Sequence, residues 1–210
     1  VGPTGAGKST ISNLIHRFYD SNKGKIILGG VDIKKMSQTH IGKNVGMVLQ
    51  DPFLFSGSIL DNVRYGEQKI SLDLIKEESI KLGIDEFIQN LPNKYETIIG
   101  QRGSDLSMGQ RQLLSILRAL LADTKYLILD EATSSIDSYT EKKIQSALDV
   151  LLTNRTSITI AHRLATVRNC DRIIVLNQGE IIESGNHKDL LNNKGMYSKL
   201  YKLNYSSFDD

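Results

Sequence analysis

Only one cysteine, Cys170, occurs among the 210 residues, so no internal disulfide can form, a pattern that suits a reducing cytosol. It reads as a small packing residue. Proline is scarce, three in all, and low-complexity tracts are missing, which argues against a disordered chain. Neither sign of charge dominates. The 26 Lys and Arg against 24 Asp and Glu leave a net +2, which argues against a bulk nucleic-acid binder while leaving room for a local basic patch. Long apolar runs are also missing: Pro52–Leu60 and Leu113–Leu117 fall well short of the roughly 18–20 residues that span a bilayer. No secretory signal is visible. The first residue is Val rather than Met, and a glycine-rich motif starts at once, without the buried strand that such loops follow. The chain therefore reads as a piece whose N-terminal part lies outside it.

The composition is ordinary for a soluble globular protein. Ile11, Leu14, Ile15 and Phe18 share one face of a helix starting near Lys8. Lys25–Leu28 and Val31–Ile33 flank Gly29-Gly30, the pattern of a hairpin. Val45–Leu49 suits a buried strand, and the segment from Ile59 to Leu91 has interrupted helical spacing. A helix from about Ser107 to Ala122 carries an apolar stripe of Leu113, Ile116, Leu117 and Leu120, with Arg111, Ser115 and Arg118 placed opposite. Tyr126–Leu129 is an apolar strand ending in Asp130 and Glu131. A helix through Ile144, Leu148 and Leu151 follows, then strands at Ser157–Ile160, Arg172–Leu176 and Glu180–Glu183, and a helical stretch from His187. Strands alternating with helices predict a largely parallel sheet, and the helix-rich stretch between Gln50 and Asp123 predicts an inserted lobe.

Gly2-Pro3-Thr4-Gly5-Ala6-Gly7-Lys8-Ser9, followed by Thr10, satisfies every fixed position of a phosphate-binding loop. Its glycines let backbone N–H groups converge on an anion at a helix start. Lys8 supplies a point charge for the terminal phosphates, and the Ser9 hydroxyl can ligate Mg²⁺. Asp130, at the end of an apolar strand, is placed to hold the same Mg²⁺ through water, and Glu131 to polarise an attacking water.

One further stretch narrows the reading. Asp105-Leu106-Ser107-Met108-Gly109-Gln110-Arg111-Gln112 resembles the signature sequence of ABC transporter ATPases, whose usual form is Leu-Ser-Gly-Gly-Gln. Read without that likeness, Ser107 is simply a helix N-cap. Gln50 fits the family's Q-loop glutamine, a sensor of Mg²⁺ and water. Ser134-Ser135-Ile136-Asp137 resembles its D-loop, and His162 its switch histidine on the γ-phosphate. The other histidines, His16, His40 and His187, read as surface or packing residues.

The resemblance runs from Gly2 to about Leu191. It implies a P-loop NTPase (RecA-like) fold: a mostly parallel sheet core, about 1–50 and 123–191, with an α-helical subdomain inserted at about 51–122 and a C-terminal helical tail at 192–210. It also implies ATP and Mg²⁺ as cofactors, with Ser9, Gln50 and Asp130 at the metal and Glu131, His162, Gln50 and Lys8 as catalytic groups. Two such domains meet head to tail, so that Leu106, Ser107, Met108, Gly109 and Gln110 of one complete the nucleotide site of the other. Transmembrane domains are the implied second partner, at the cytoplasmic face of the cell membrane. An adenine-stacking aromatic is expected upstream of residue 1, and the membrane domain is expected to lie outside this chain, on the same polypeptide or on another.

Asp51–Ile59 and Tyr95–Gly103 resemble exporter segments. Phe53 and Phe55 then fit either a groove for a membrane domain's helix or the core of the inserted lobe. Gln101 stands where that pattern usually has Glu, which puts a cross-talk salt bridge in doubt. Met108 occupies the signature's first glycine position, and its side chain must point away from the γ-phosphate for closure to proceed. A soluble ABC protein of DNA repair or translation lacks support, because no coiled-coil or second-cassette insertion is present. A P-loop kinase leaves Ser107–Gln110 and His162 unexplained.

Overall fold

The computed structural model describes residues 1–65, 69–130, 136–161 and 164–205. In chain order, helix α1 (Lys8–Ile15) is followed by β1 (Ile27–Leu28), β2 (Val31–Asp32), α2 (Gln38–Asn44), β3 (Val45–Val48) and β4 (Gly57–Ser58). Helices α3 (Ile59–Val63), α4 (Leu72–Lys81) and α5 (Asp85–Gln89) precede β5 (Ile98–Ile99), α6 (Met108–Leu121) and β6 (Tyr126–Asp130). Then come α7 (Ser138–Leu152), β7 (Thr156–Ile160), α8 (Leu164–Arg168), β8 (Ile173–Asn177), β9 (Glu180–Gly185), α9 (His187–Asn192) and α10 (Met196–Tyr205). Among these residues, one compact unit is built from Val1–Ile41, Asp130 and 159–205, and a second from Gly42–Leu129 and 136–158.

The second unit is organised by a sheet of strand order β3-β6-β7. Strands β3 and β6 run parallel, in register from Val45 opposite Tyr126 to Val48 opposite Leu129. Their continuous apolar character is what a strand covered on both faces requires. Val48, Leu127 and Leu129 join Leu54, Ile59, Ile75, Ile84 and Ile88 in a single hydrophobic core, to which α6 contributes Leu113, Leu114, Ile116 and Leu117 and α7 contributes Ile144, Ala147, Leu148 and Leu151. The inserted helices and the sheet of this unit thus share their interior.

Helix α6 differs from its expected amphipathic form. Leu114 and Ala119 are buried beside the predicted stripe, and so is Ser115 on the face expected to be polar. Arg118 is not solvated either. Its guanidinium donates to the Asn62 carbonyl (Nε, 2.8 Å), the Asn62 side-chain oxygen (Nη2, 3.0 Å) and the Phe53 carbonyl (Nη1, 3.0 Å). The reason is that α6 packs on α7, α3, α4 and β3 together, so that little of it faces water. Burial pulls the Arg118 pKa below the ordinary arginine value, and hydrogen bonds keep the charge satisfied. A short antiparallel pair, β4 with β5 (Gly57 opposite Ile99), lies within the helix-rich stretch, where two-residue strands leave no periodic signal.

In the first unit, β1 and β2 close the expected hairpin through Gly29 (φ 56°) and Gly30 (φ 82°), the left-handed pair that a two-residue turn needs. Strands β8 and β9 form a second antiparallel hairpin with a register shift after Val175. Ala161, Val167, Ile173, Val175, Leu190 and Tyr197 make this unit's core. Phe18, expected on the first helix, lies beyond it. The helix ends at Ile15 because Arg17 turns left-handed (φ 53°), where its guanidinium can donate to the carbonyls of Ile33 (3.2 Å) and Met36 (2.7 Å). Phe18 instead stacks on the His16 ring at 5.3 Å and remains exposed.

Two outcomes follow from this packing. His16 is buried with its Nε2 unpartnered, and burial lowers its pKa from the ordinary 6.5. The unfolded chain therefore binds the proton more readily, and the His16 contribution to stability is intact above pH 6.5 and lost as pH falls below it. The urea midpoint is expected to drop on going below pH 6.5, and His16→Phe to reduce that drop; equal slopes would show that His16 is not the titrating group.

The second outcome concerns Gly109, where an added Cβ would collide with Thr140 Cγ2 of α7 and approach Ile136 Cγ2 at 3.7 Å. Gly109→Ala is expected to destabilise by about 1–3 kcal/mol in thermal or urea unfolding. Thr140→Ser, which removes the obstructing methyl, should recover much of that loss; no recovery would mean that the contact is not the cause.

Candidate nucleotide-binding site

The glycine-rich loop is held from behind by the β8–β9 hairpin. The Leu176 N–H donates to the Val1 carbonyl (2.9 Å) and the Gly179 N–H to the Ala6 carbonyl (3.1 Å). A Cβ on Gly2 would run into the Leu176 carbonyl, which explains a glycine at that point. Within the loop, the Ala6 N–H donates to the Pro3 carbonyl at 3.2 Å and the Ala6 side chain is buried. Gly7 enters α1 in the left-handed region (φ 100°), which no side chain but hydrogen tolerates easily. No side chain caps α1 and no acidic residue stands in its first turn, so its positive end is left for an anion.

Lys8 reaches across this loop. Its Nζ donates to the carbonyls of Gly2 and Pro3, both at 2.9 Å, which fixes the ammonium over the loop. Ser9 and Thr10 are exposed on the first turn of α1, as are Thr4 and Gly5 in the loop. Asp130, half-buried at the end of β6, belongs to the same unit as the loop. This donor set suits a polyphosphate with a hard cation: one hydroxyl and one carboxylate offer oxygen ligands, and such a cation takes the rest from phosphate and water. No group of three or more His, Cys, Asp or Glu poised for a metal occurs among the described residues, which a Mg²⁺ site of this kind does not need.

The second unit carries the remaining described candidates. Gln50 is exposed immediately beyond β3. Before α6, the Asp105 carboxylate accepts from the Gly100 N–H (2.9 Å) and Leu106 is buried, anchoring the turn into the helix. Ser107 is the N-cap. Its Oγ accepts from the Gln110 N–H (3.2 Å) while Gln110 Oε1 accepts from the Ser107 N–H (2.9 Å), a reciprocal capping box. Met108 is half-buried, and its sulfur accepts from Arg111 Nη2 at 3.4 Å.

Asp137 caps α7 by accepting from the N–H groups of Tyr139 (3.1 Å) and Thr140 (3.0 Å). Bonds from Thr140 hold its carboxyl below the ordinary aspartate range. Gly109 brings the start of α6 against Ile136 and Thr140, so the stretches that resemble a signature and a D-loop meet within this unit. Glu131, Ser135 and His162 lie outside the described residues.

An aromatic patch also stands out. Phe53 and Phe55 are exposed and meet edge to face at 5.0 Å, and Phe55 stacks on exposed Tyr65 at 4.5 Å. Arg118 lies 5.9 Å from the Phe55 ring and 5.6 Å from the Tyr65 ring. Of the two sequence readings of Phe53 and Phe55, burial in the lobe's core is corrected: Leu54 between them takes that role while the two rings stay exposed. Tyr65 and Arg118 were missed, Tyr65 because no pattern marks it, and Arg118 because a cation on a helix reads as solvated.

A family model described as ABC transporter matches residues 1–134. The chain is 50% identical over 205 residues to an uncharacterized ABC transporter ATP-binding protein, YfiC, of Bacillus subtilis (strain 168), covering 98% of this chain and 34% of that protein. It is 46% identical over 205 residues to an ATP-dependent lipid A-core flippase of Syntrophus aciditrophicus (strain SB), again covering 98% and 34%. Among solved structures, a bacterial Atm1-family ABC exporter with ATP bound aligns at a TM-score of 0.90 and 39% identity, over 100% of this chain and 36% of that one. The chain thus spans about a third of the length of these relatives. With most of its length matched to the family model, this chain belongs to the ABC transporter family, as an ATP-binding domain.

Proposed function

We propose that this chain is the motor domain of an exporter, pairing head to tail with a second such domain around two ATP and driving a substrate across a membrane. The observation that carries this reading is the exposed start of α6. Ser107 stands there beside the first N–H groups of a 14-residue helix, a second anion-accepting end distinct from the loop at Gly2–Ser9. A single ATP-bound loop has no use for it, whereas a partner domain's terminal phosphate does.

In this arrangement Lys8 would neutralise charge on the terminal phosphates and the backbone of Gly2–Thr10 would cradle them; Ser9, Asp130 and Gln50 are the residues that would hold Mg²⁺, and the cation would supply charge compensation there. Glu131 orients and polarises the attacking water, and His162 contacts the γ-phosphate. Leu106–Gln110 of the partner close the site, and Ser135, Ile136 and Asp137 line the junction. A terminal phosphate that bridges two domains ties them together, and its loss releases them. The exposed patch of Phe53, Phe55 and Tyr65 offers apolar area backed by a cation, suited to the cytoplasmic helix of a membrane domain.

Glu131→Gln in the full-length, membrane-embedded protein tests the reading. Turnover is expected to fall at least ~100-fold while ATP binding persists and the paired state accumulates. Equal turnover of the two proteins would remove Glu131 from the mechanism.

A further inference from the structure

The unusual residue of the signature has a partner of its own. Met108 is the first residue of α6 after its cap, and side chains on a helix lean toward its N-terminal end. A long, unbranched side chain at that place therefore tends to lie over the helix start, across Ser107 and the first N–H groups. Here its sulfur is instead bound by Arg111 Nη2 at 3.4 Å, one turn further along the helix.

Arg111 does not depend on that bond for its own position. Its Nη1 donates to the Leu106 carbonyl at 2.7 Å and, less closely, to the Gly103 carbonyl at 3.4 Å. Its aliphatic stem packs on the same loop: a Cβ built on Gly103 would sit 3.1 Å from Arg111 Cδ. The guanidinium is thus a fixed point and the thioether, with three rotatable bonds, is the flexible group attached to it. Nor is Ser107 available to hold Met108, since Ser107 and Gln110 are engaged with each other.

We propose that Arg111 is a positioning residue, which draws the Met108 side chain back along α6 and so keeps the helix start open to a nucleotide's terminal phosphate. The proposal rests on the reading of Ser107–Gln110 as an anion-binding end that acts on a partner's nucleotide. It makes Arg111 matter because Met108 is present, a dependence that a purely structural clamp would not show.

The test is steady-state ATP hydrolysis by the full-length protein in membranes, with kcat and KM for MgATP measured separately and the melting temperature beside them. Met108→Leu keeps the bulk and every Arg111 bond to the loop but removes the sulfur acceptor. It is expected to raise KM about fivefold with a smaller effect on kcat, since it hinders closure on the nucleotide rather than the chemistry. Arg111→Gln is expected to raise KM similarly, and on a Met108→Gly background its cost should shrink to under about twofold.

If Met108→Leu matches wild type, or if Arg111→Gln costs the same on both backgrounds, Arg111 only holds the loop and the proposal is overturned. Should Arg111→Gln melt too low to assay, Met108→Leu decides alone. Ser107→Arg in the same assay separates the two levels: normal kcat/KM in that variant would sink the anion-binding reading itself, whatever Arg111 does.

Discussion

Helix α6 meets two demands that pull against each other. It is packed by α7, α3, α4 and β3, so nearly every side chain along it must be apolar or tied off. Yet it must begin at the surface, where backbone N–H groups have no partner within the helix. The capping box of Ser107 and Gln110 satisfies two of those groups and leaves the helix start polar and exposed. Leu106, one residue earlier, is already buried, so the change from interior to surface takes place across a single peptide. Most of the second unit follows from this placement. The sheet strand β3 lies along α6, the Asn62 carbonyl of α3 accepts from Arg118, and α7 can approach only because Gly109 has no side chain.

The first unit solves a related problem with backbone rather than side chains. A loop that turns its N–H groups inward leaves carbonyls pointing elsewhere, and those need donors. The β8–β9 hairpin supplies one through Gly179, and Lys8 supplies another pair to Gly2 and Pro3. The Lys8 ammonium, proposed to balance phosphate charge, is thereby also a structural element of the loop. Its position is set by two carbonyls before any ligand arrives, which lowers the cost of ordering it on binding.

Much of this was readable from residues alone, and what was not has physical causes. The glycine-rich entry into α1, the apolar strand ending at Asp130 and the capped helix at Ser107 are local patterns, each written within about ten residues, and they were visible. The strands at Val45–Val48 and Tyr126–Asp130 were visible because double-sided burial demands unbroken apolar runs. By contrast, the role of Arg118 was hidden, since it depends on Asn62, 56 residues away in the chain. The β4–β5 pair escaped notice because two residues cannot express a period. Phe18 misled because helical spacing persists past Ile15, while the left-handed turn at Arg17 is paid for by carbonyls at Ile33 and Met36 that no local pattern reveals.

The contact at Gly109 also bears on how the signature and D-loop positions relate. Asp137 fixes the first turn of α7 through the N–H groups of Tyr139 and Thr140, and Thr140 is the residue whose methyl fills the space that a Gly109 side chain would take. Ile136, one residue before the cap, packs against the same core. A shift of the α7 cap therefore presses on α6 at its second residue, next to Met108, with no flexible side chain between to absorb it. Close-packed contacts of this kind transmit displacement rather than dissipate it. Gly109 is thus required by the packing of its own unit, independently of any nucleotide, and the sulfur of Met108 beside it is held by Arg111.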